Sequence, residues 1–239
     1  MLIYLEDYWI FKKKKMLNIE IITCQPNLLK GPLNHSILKR AQEKNLVKVT
    51  INNLRDYSTE KRNKVDDYAF GGEAGMVLQI EPVDNCINHL KKKNKFDEII
   101  YMSPDGEPLN QEISNKFSIS KNIIILCGHY KGIDERIRKH IITKEISIGD
   151  YVLTGGELPA AVFIDSVIRL LPGVLNNESS ALSDSFQDKL ISPPVYTRPY
   201  KYNKWSVPKI LISGNQKEIE KWKIKESLKR TKEKRPNLL

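Results

Sequence analysis

From Met16 onward the chain alternates between two kinds of hydrophobic pattern. Short runs rich in β-branched and other apolar residues occur at Leu17–Thr23, Leu46–Ile51, Glu98–Met102 and Asn122–Cys127. They have the length and composition of buried strands. Helical segments are predicted near 35–44 and 81–92, and strands interleaved with helices predict an α/β domain with a largely parallel sheet. A longer helix is predicted after Gly155-Gly156, in GELPAAVFIDSVIRLL. It is apolar almost all round, which predicts burial. Pro159 falls in its first turn, where the missing N–H costs nothing. Its polar strip is Asp165, Ser166 and Arg169, with 165 and 169 one turn apart.

Both ends depart from this pattern. Residues 1–15, MLIYLEDYWIFKKKK, read as an appendage, either the product of an upstream start codon or a short added strand. The lysines follow the apolar stretch, the reverse of a secretory signal. After Pro172-Gly173, VLNNESSALSDSF is rich in Ser and Asn without a period and reads as a linker. ISPPVYTRPY is Pro-rich and irregular. A basic helix is predicted from about Asn215, with Asn215 and Glu218 as a capping pair. In that helix Ile219 and Trp222 fall on one side and Ile224 and Leu228 on the other, the pattern of a helix clamped between two surfaces.

Composition narrows the function classes. The 239 residues are 40% hydrophobic with a formal net charge of +10, enough apolar content for an ordinary core and too much for a disordered chain. The longest apolar run near the middle, Leu158–Ile164, is far short of the ~20 residues of a membrane helix. Cys24, Cys86 and Cys127 form no CxxC pair, so neither a disulfide framework nor a zinc ribbon is indicated, which suits a reducing, cytoplasmic setting. The charge is uneven. Residues 201–239 carry twelve Lys/Arg against four Glu, a net +8. That concentration is the electrostatic footprint of a polyanion binder or a solvated basic tail.

Familiar catalytic constellations are missing. His35, His89, His129 and His140 show no metal-ligand spacing, and GxSxG, HExxH, GxGxxG and P-loop motifs are absent. No residue is assigned as a metal ligand. What remains is a set of glycine-dense polar loops after strand-like runs: 66–76, 101–109, 127–136 and 147–159. Glycine lets backbone approach a ligand closely, and ligands of open α/β sheets sit beyond the carboxyl ends of strands. Four such loops could wrap a small cofactor, or be tight turns.

These loops carry a resemblance. NLRDYSTEKRNKVDDYAFGGEAGM, SPDGEPLNQ, CGHYKGIDERI, SIGDYVLTGGELPAAVFIDSVIRLLPGVL, ESSALSDSF, PPVYTRP and SGNQKEIEKWKIKESLKRT follow in order. Together they resemble the bacterial tRNA (guanine-N1)-methyltransferases, SPOUT-class enzymes acting on the guanosine at position 37 beside the anticodon.

The resemblance implies an α/β SPOUT fold with a deep trefoil knot in the N-terminal domain, threaded near 124–160, and a small, mostly helical C-terminal domain. The domains would be the extension 1–15, an S-adenosylmethionine-binding domain 16–174, a flexible linker 175–190 carrying the catalytic aspartate, and a basic tRNA-binding domain 191–239. S-adenosylmethionine would be held by Tyr101, Ser103, Pro104, Gly128, Ile148, Gly149, Asp150, Tyr151, Val152, Leu153, Gly155, Gly156 and Pro159. Asp184 matches the family's general base and Arg169 its partner. Lys223, Lys225, Lys229 and Arg230 are the candidates for gripping the anticodon arm. The family's homodimer, with its active site between subunits, is also implied, and no membrane partner is. The alternative is a catalytically silent or retargeted RNA-binding protein that keeps the fold.

Two positions depart from the family pattern. Lys131 stands where a glutamate tied to Mg²⁺-dependent catalysis is usual, and a cation cannot ligate a metal that prefers oxygen. Magnesium is therefore in doubt as a cofactor. Glu73 and Ala74 replace Gly and Pro in the early glycine loop. A glutamate at positive φ would be strained by roughly 1 kcal/mol or more.

Overall fold

Apolar residues on both sides of a strand require cover on both faces of the sheet, and the computed structural model, which describes residues 16–72, 74–175 and 184–239, has that arrangement. Five strands, β1 (Leu17–Thr23), β2 (Val47–Asn53), β5 (Glu98–Pro108), β6 (Asn122–Cys127) and β7 (Lys144–Ser147), form a sheet in the order β2-β1-β6-β5-β7. Every neighbouring pair is parallel. β3 (Asp66–Tyr68) and β4 (Met76–Leu78) make a separate antiparallel pair.

The strand period sorts side chains onto two cores. Leu17, Ile19 and Ile21 of β1, Ile100 and Met102 of β5, and Ile123, Ile125 and Cys127 of β6 face one core. It is covered by α1 (Asn27–Leu33), α2 (Ser36–Glu43), α4 (Gln111–Ser118) and α6 (Glu157–Ile168). Ile22, Ile99, Tyr101, Ile124 and Leu126 face the other, under α3 (Ile80–Lys93) and α5 (Glu135–His140). Between α4 and α6, Phe117 and Phe163 meet edge to face at 5.2 Å. Asn110 caps α4 by accepting from the Ile113 N–H, and Asp134 caps α5 by accepting from the Arg136 N–H.

Three sequence expectations need correction here. The segment 101–109 is not simply a loop, because β5 runs on to Pro108. Its register shifts between Met102 and Glu107, so Ser103–Gly106 bulge out while pairing with β7 resumes beyond them. The long apolar helix is not buried all round. Ala160, Phe163, Ile164, Val167 and Ile168 are, but Leu158 and Val162 are 53% and 49% exposed, because the sheet lies on one side of the helix only. The loop 66–76 also includes β3 and the first residue of β4. Glu73 and half of the predicted linker 175–190 (residues 176–183) lie outside the described residues, so neither reading can be placed. Gly71, Gly72 and Gly75, around position 73, do take positive φ.

The chain divides into two compact units between Asn176 and Asn177. In the second, β8 (Lys201–Tyr202) and β9 (Trp205–Ser206) form a short hairpin ahead of α7 (Gln216–Lys234). Asn215 caps α7 by accepting from the Glu218 N–H at 3.3 Å. The return half of the capping box is not made, since the Asn215 N–H goes to Ser213 and the Glu218 carboxylate takes Lys221. Thr231 is buried in this unit, donating to the Ser227 carbonyl and accepting from the Ile191 N–H. The helix is not clamped on both sides, for Ile224 and Leu228 are exposed.

Candidate active site

The parallel sheet brings the carboxyl ends of β5, β6 and β7 to one edge, where the following loops and the start of α6 enclose a cavity of about 240 Å³. The β5 bulge turns Ser103, Pro104 and Asp105 to its wall. The loop after β6 supplies residues 128–133, and the segment after β7 supplies Ile148, Gly149 and residues 151–156. Of the thirteen residues singled out for cofactor binding, twelve line this one cavity, and Asp150 does not.

The walls need glycine where two chain segments press together. The Gly156 N–H donates to the Gly128 carbonyl at 2.8 Å. A Cβ on Gly156 would lie 2.8 Å from both Cys127 Cα and Gly128 N, backbone that cannot swing aside. His129 and Gly155 are bridged in antiparallel fashion beside them. Gly149 takes φ +146, a conformation open to glycine and strained for other residues.

One charged group is fixed against the cavity. Arg138 of α5 makes a two-pronged contact with Glu145, at 2.9 and 2.6 Å, and reaches Asp105 at 2.9 Å. Its guanidinium lies 5.8 Å from the ring centre of Tyr101. Burial pushes the Tyr101 phenol up to about 12, with the Arg138 charge acting in the opposite direction. The phenol is therefore neutral at physiological pH. The Glu145 hydrogen bond holds Arg138 charged far above neutrality. Sequence reading passed over Arg138 and Asp105, because their meeting depends on the β5 bulge.

Lys131 also lines the cavity, and its backbone N–H donates to the Met76 carbonyl at 2.9 Å. Its side chain crosses Gly75, where a Cβ would sit 2.8 Å from Lys131 Cγ. Arg169 follows the last turn of α6, its N–H donating to the Asp165 carbonyl at 3.2 Å, and is half-buried. Asp184 is half-buried in the second unit. On α7, Lys223, Lys225 and Lys229 are exposed. Arg230 is half-buried, and its Nε has no hydrogen-bond partner among the described residues.

Residues 17–239 match the family model described as tRNA (Guanine-1)-methyltransferase TrmD. The chain belongs to that family. It is 60% identical over 222 residues to a tRNA (guanine-N(1)-)-methyltransferase of Azobacteroides pseudotrichonymphae, covering 93% of this chain and 100% of the relative. The enzyme of that name from Flavobacterium johnsoniae is 60% identical over 223 residues, 93% of this chain and 99% of the relative. Its counterpart from Bacteroides thetaiotaomicron is 57% identical with the same coverage. In this member of the TrmD family, the cavity-lining loops are the ones whose motifs carried the resemblance. Among the described residues, no helix is long and apolar enough to cross a membrane.

Proposed function

We propose that the chain transfers a methyl group from S-adenosylmethionine to N1 of guanosine 37 in tRNA. The observation that carries this reading is the convergence of twelve of the thirteen candidate cofactor residues on one cavity in a member of the TrmD family. The cavity suits such a cofactor. Tyr101, Ile148, Leu153 and Pro159 give apolar walls for a purine and a thioether-like chain, while the glycines at 128, 149, 155 and 156 bring backbone donors and acceptors within reach. When bound, S-adenosylmethionine supplies an electrophilic methyl group on a sulfonium with a good leaving group.

The chain's own task is then to make guanine N1 nucleophilic. That nitrogen carries a proton, and Asp184 as general base removes it. Negative charge develops on O6, where the Arg169 guanidinium donates and stabilises it. The cavity loops hold the reacting atoms in line, which is most of what a displacement needs.

The tRNA partner is assigned to the basic second unit, where Lys223, Lys225 and Lys229 are exposed to phosphates and Arg230 supports them from its half-buried place. A homodimer, with Asp184 brought to the cavity of the partner, accounts for the exposed Leu158 and Val162, which continue along α6 to Asp165 and Arg169 at helical spacing. Threading of 124–160 into a knot is in keeping with the contact between residues 128–129 and 155–156. The cytoplasm, where tRNA is found, is the proposed location. Magnesium is not assigned to Lys131, whose ammonium offers no oxygen to it.

The test is methyl transfer from labelled S-adenosylmethionine to transcripts carrying G or A at position 37, with and without Mg²⁺. Transfer to the G transcript alone supports the reading, and equal rates without Mg²⁺ support the lysine argument. A protein that binds tRNA yet transfers nothing would be a silent RNA-binding relative.

A further inference from the structure

Behind the cavity wall, three chain segments far apart in sequence bring a thiol, an imidazole and a carboxylate together. Cys24 follows β1, His129 follows β6, and Glu157 opens α6. One ligand atom from each lies within 4.8 Å of the other two. Glu157 is 1% exposed and Cys24 4%. Glu157 Oε2 and His129 Nδ1 stand 3.9 Å apart, too far for a hydrogen bond, and neither has a hydrogen-bond partner among the described residues. Buried polar atoms are normally satisfied, so two facing orphans require an explanation.

We propose that Cys24 Sγ, His129 Nδ1 and Glu157 Oε2 form a binding site for a divalent cation of the zinc class. Sulfur, imidazole nitrogen and carboxylate oxygen form a borderline donor set that suits zinc and disfavours magnesium or calcium. Ligand atoms around tetrahedral zinc lie roughly 3.4–3.7 Å from one another, given bonds of about 2.0–2.3 Å. His129 Nδ1 and Glu157 Oε2, 3.9 Å apart, are already close to that spacing, and the 4.8 Å bound on the three ligand atoms leaves about 1 Å between any two of them to be closed. The charges also balance. Binding sends the Cys24 thiol proton to solvent, and thiolate plus carboxylate then neutralise the dication, leaving no net charge in a dry interior.

The surroundings are those of a metal site. Thr23 Oγ1 donates to the other carboxylate oxygen, Glu157 Oε1, at 2.6 Å and so aims Oε2 at the ligand position. Thr23 is itself fixed by accepting from the Gln25 N–H at 2.8 Å. His129 lines the cavity, which provides a way in, and a water from that side completes the fourth position. Gly155 is obligatory here, since its Cβ would fall 2.4 Å from Glu157 Oε2 and 2.6 Å from His129 Nδ1, in the space the cation needs. Bound metal would fasten the end of β1, the loop after β6 and the first turn of α6, and thereby two walls of the cavity.

The test uses the full chain, stripped with a chelator and titrated with Co²⁺ under reducing conditions. One cobalt per chain is expected, with a thiolate-to-cobalt charge-transfer band in the near ultraviolet and displacement by Zn²⁺. Cys24→Ser should abolish the band and weaken zinc at least tenfold, whereas Cys86→Ser, at a buried thiol elsewhere, should leave both unchanged. X-ray absorption of the zinc-loaded unmodified protein reads the ligand set without any variant and should show one sulfur with nitrogen and oxygen. Absence of the band, a ligand shell without sulfur, or unchanged zinc affinity in Cys24→Ser would overturn the proposal.

Discussion

The Thr23 hydroxyl and the Glu157 carboxylate, 134 residues apart in the chain, share a buried hydrogen bond of 2.6 Å. It joins the carboxyl end of β1 to the first turn of α6, where a negative charge is also favoured by the helix dipole. Thr23 satisfies one of the two buried carboxylate oxygens, Oε1, and so helps decide whether α6 can start where it does.

Thr23→Val keeps the shape and removes the hydroxyl both as donor to Glu157 and as acceptor from the Gln25 N–H. It should lower stability by about 1–3 kcal/mol, the cost of leaving a buried acceptor unpaired. Thr23→Ser should recover most of the loss. Urea denaturation of the three proteins measures this, and equal midpoints would show that the bond contributes nothing.

Gly156→Ala places a methyl group against the backbone of Cys127 and Gly128, with no flexible side chain to yield. The loops around the cavity must then part by several tenths of an ångström. Overpacking of this kind costs about 1–3 kcal/mol. On the proposed function, S-adenosylmethionine affinity should fall at least tenfold by calorimetry, while tRNA binding, proposed for α7, should persist in a filter-binding assay.

Asp184→Asn retains size and polarity but cannot accept the N1 proton. Single-turnover methylation should slow by about 10²–10⁴-fold, with tRNA affinity unchanged. If Arg169 acts on O6 as proposed, Arg169→Met should cost about 10²–10³-fold. A near wild-type rate in Asp184→Asn would remove it from the role of base.

Alkaline pH should weaken the fold in a defined window. Burial raises the Cys86 thiol from 9.0 to about 12 and the Tyr101 phenol from 10.0 to about 12. Both stay protonated when folded and ionise first when unfolded. The stability they contribute is therefore complete below about pH 9 and is lost as pH rises towards 12. Thermal melts from pH 8 to 11 should show Tm falling above 9, with a shallower fall in Cys86→Ala.

How much of this was legible depends on the element. β1 and β6 were readable to the residue, because LNIEIIT and NIIILC are β-branched and apolar and both are central strands. β7 escaped notice, since KEIS has four residues and opens on two charges. α1 contains Gly31 and Pro32, which argue against a helix locally and are overruled by burial of Leu29 and Leu33. SPDGEP carries turn residues, yet β5 persists through them because β7 offers a partner beyond the bulge. The cavity residues were recognised through contiguous motifs. The grouping of Cys24, His129 and Glu157 was not, since spacing along the chain holds no trace of it.

The sheet order also bears on how the protein comes into being. β1, near the start of the chain, lies between β2 and β6, and Asn18 is paired with Asn122 across 104 residues. A ribosome must therefore release more than half the chain before the second side of β1 can be covered. Until then an apolar strand waits with one edge open. Contacts so distant make folding slow, and the interval is when the nascent chain is most exposed to mispairing and most dependent on being shielded.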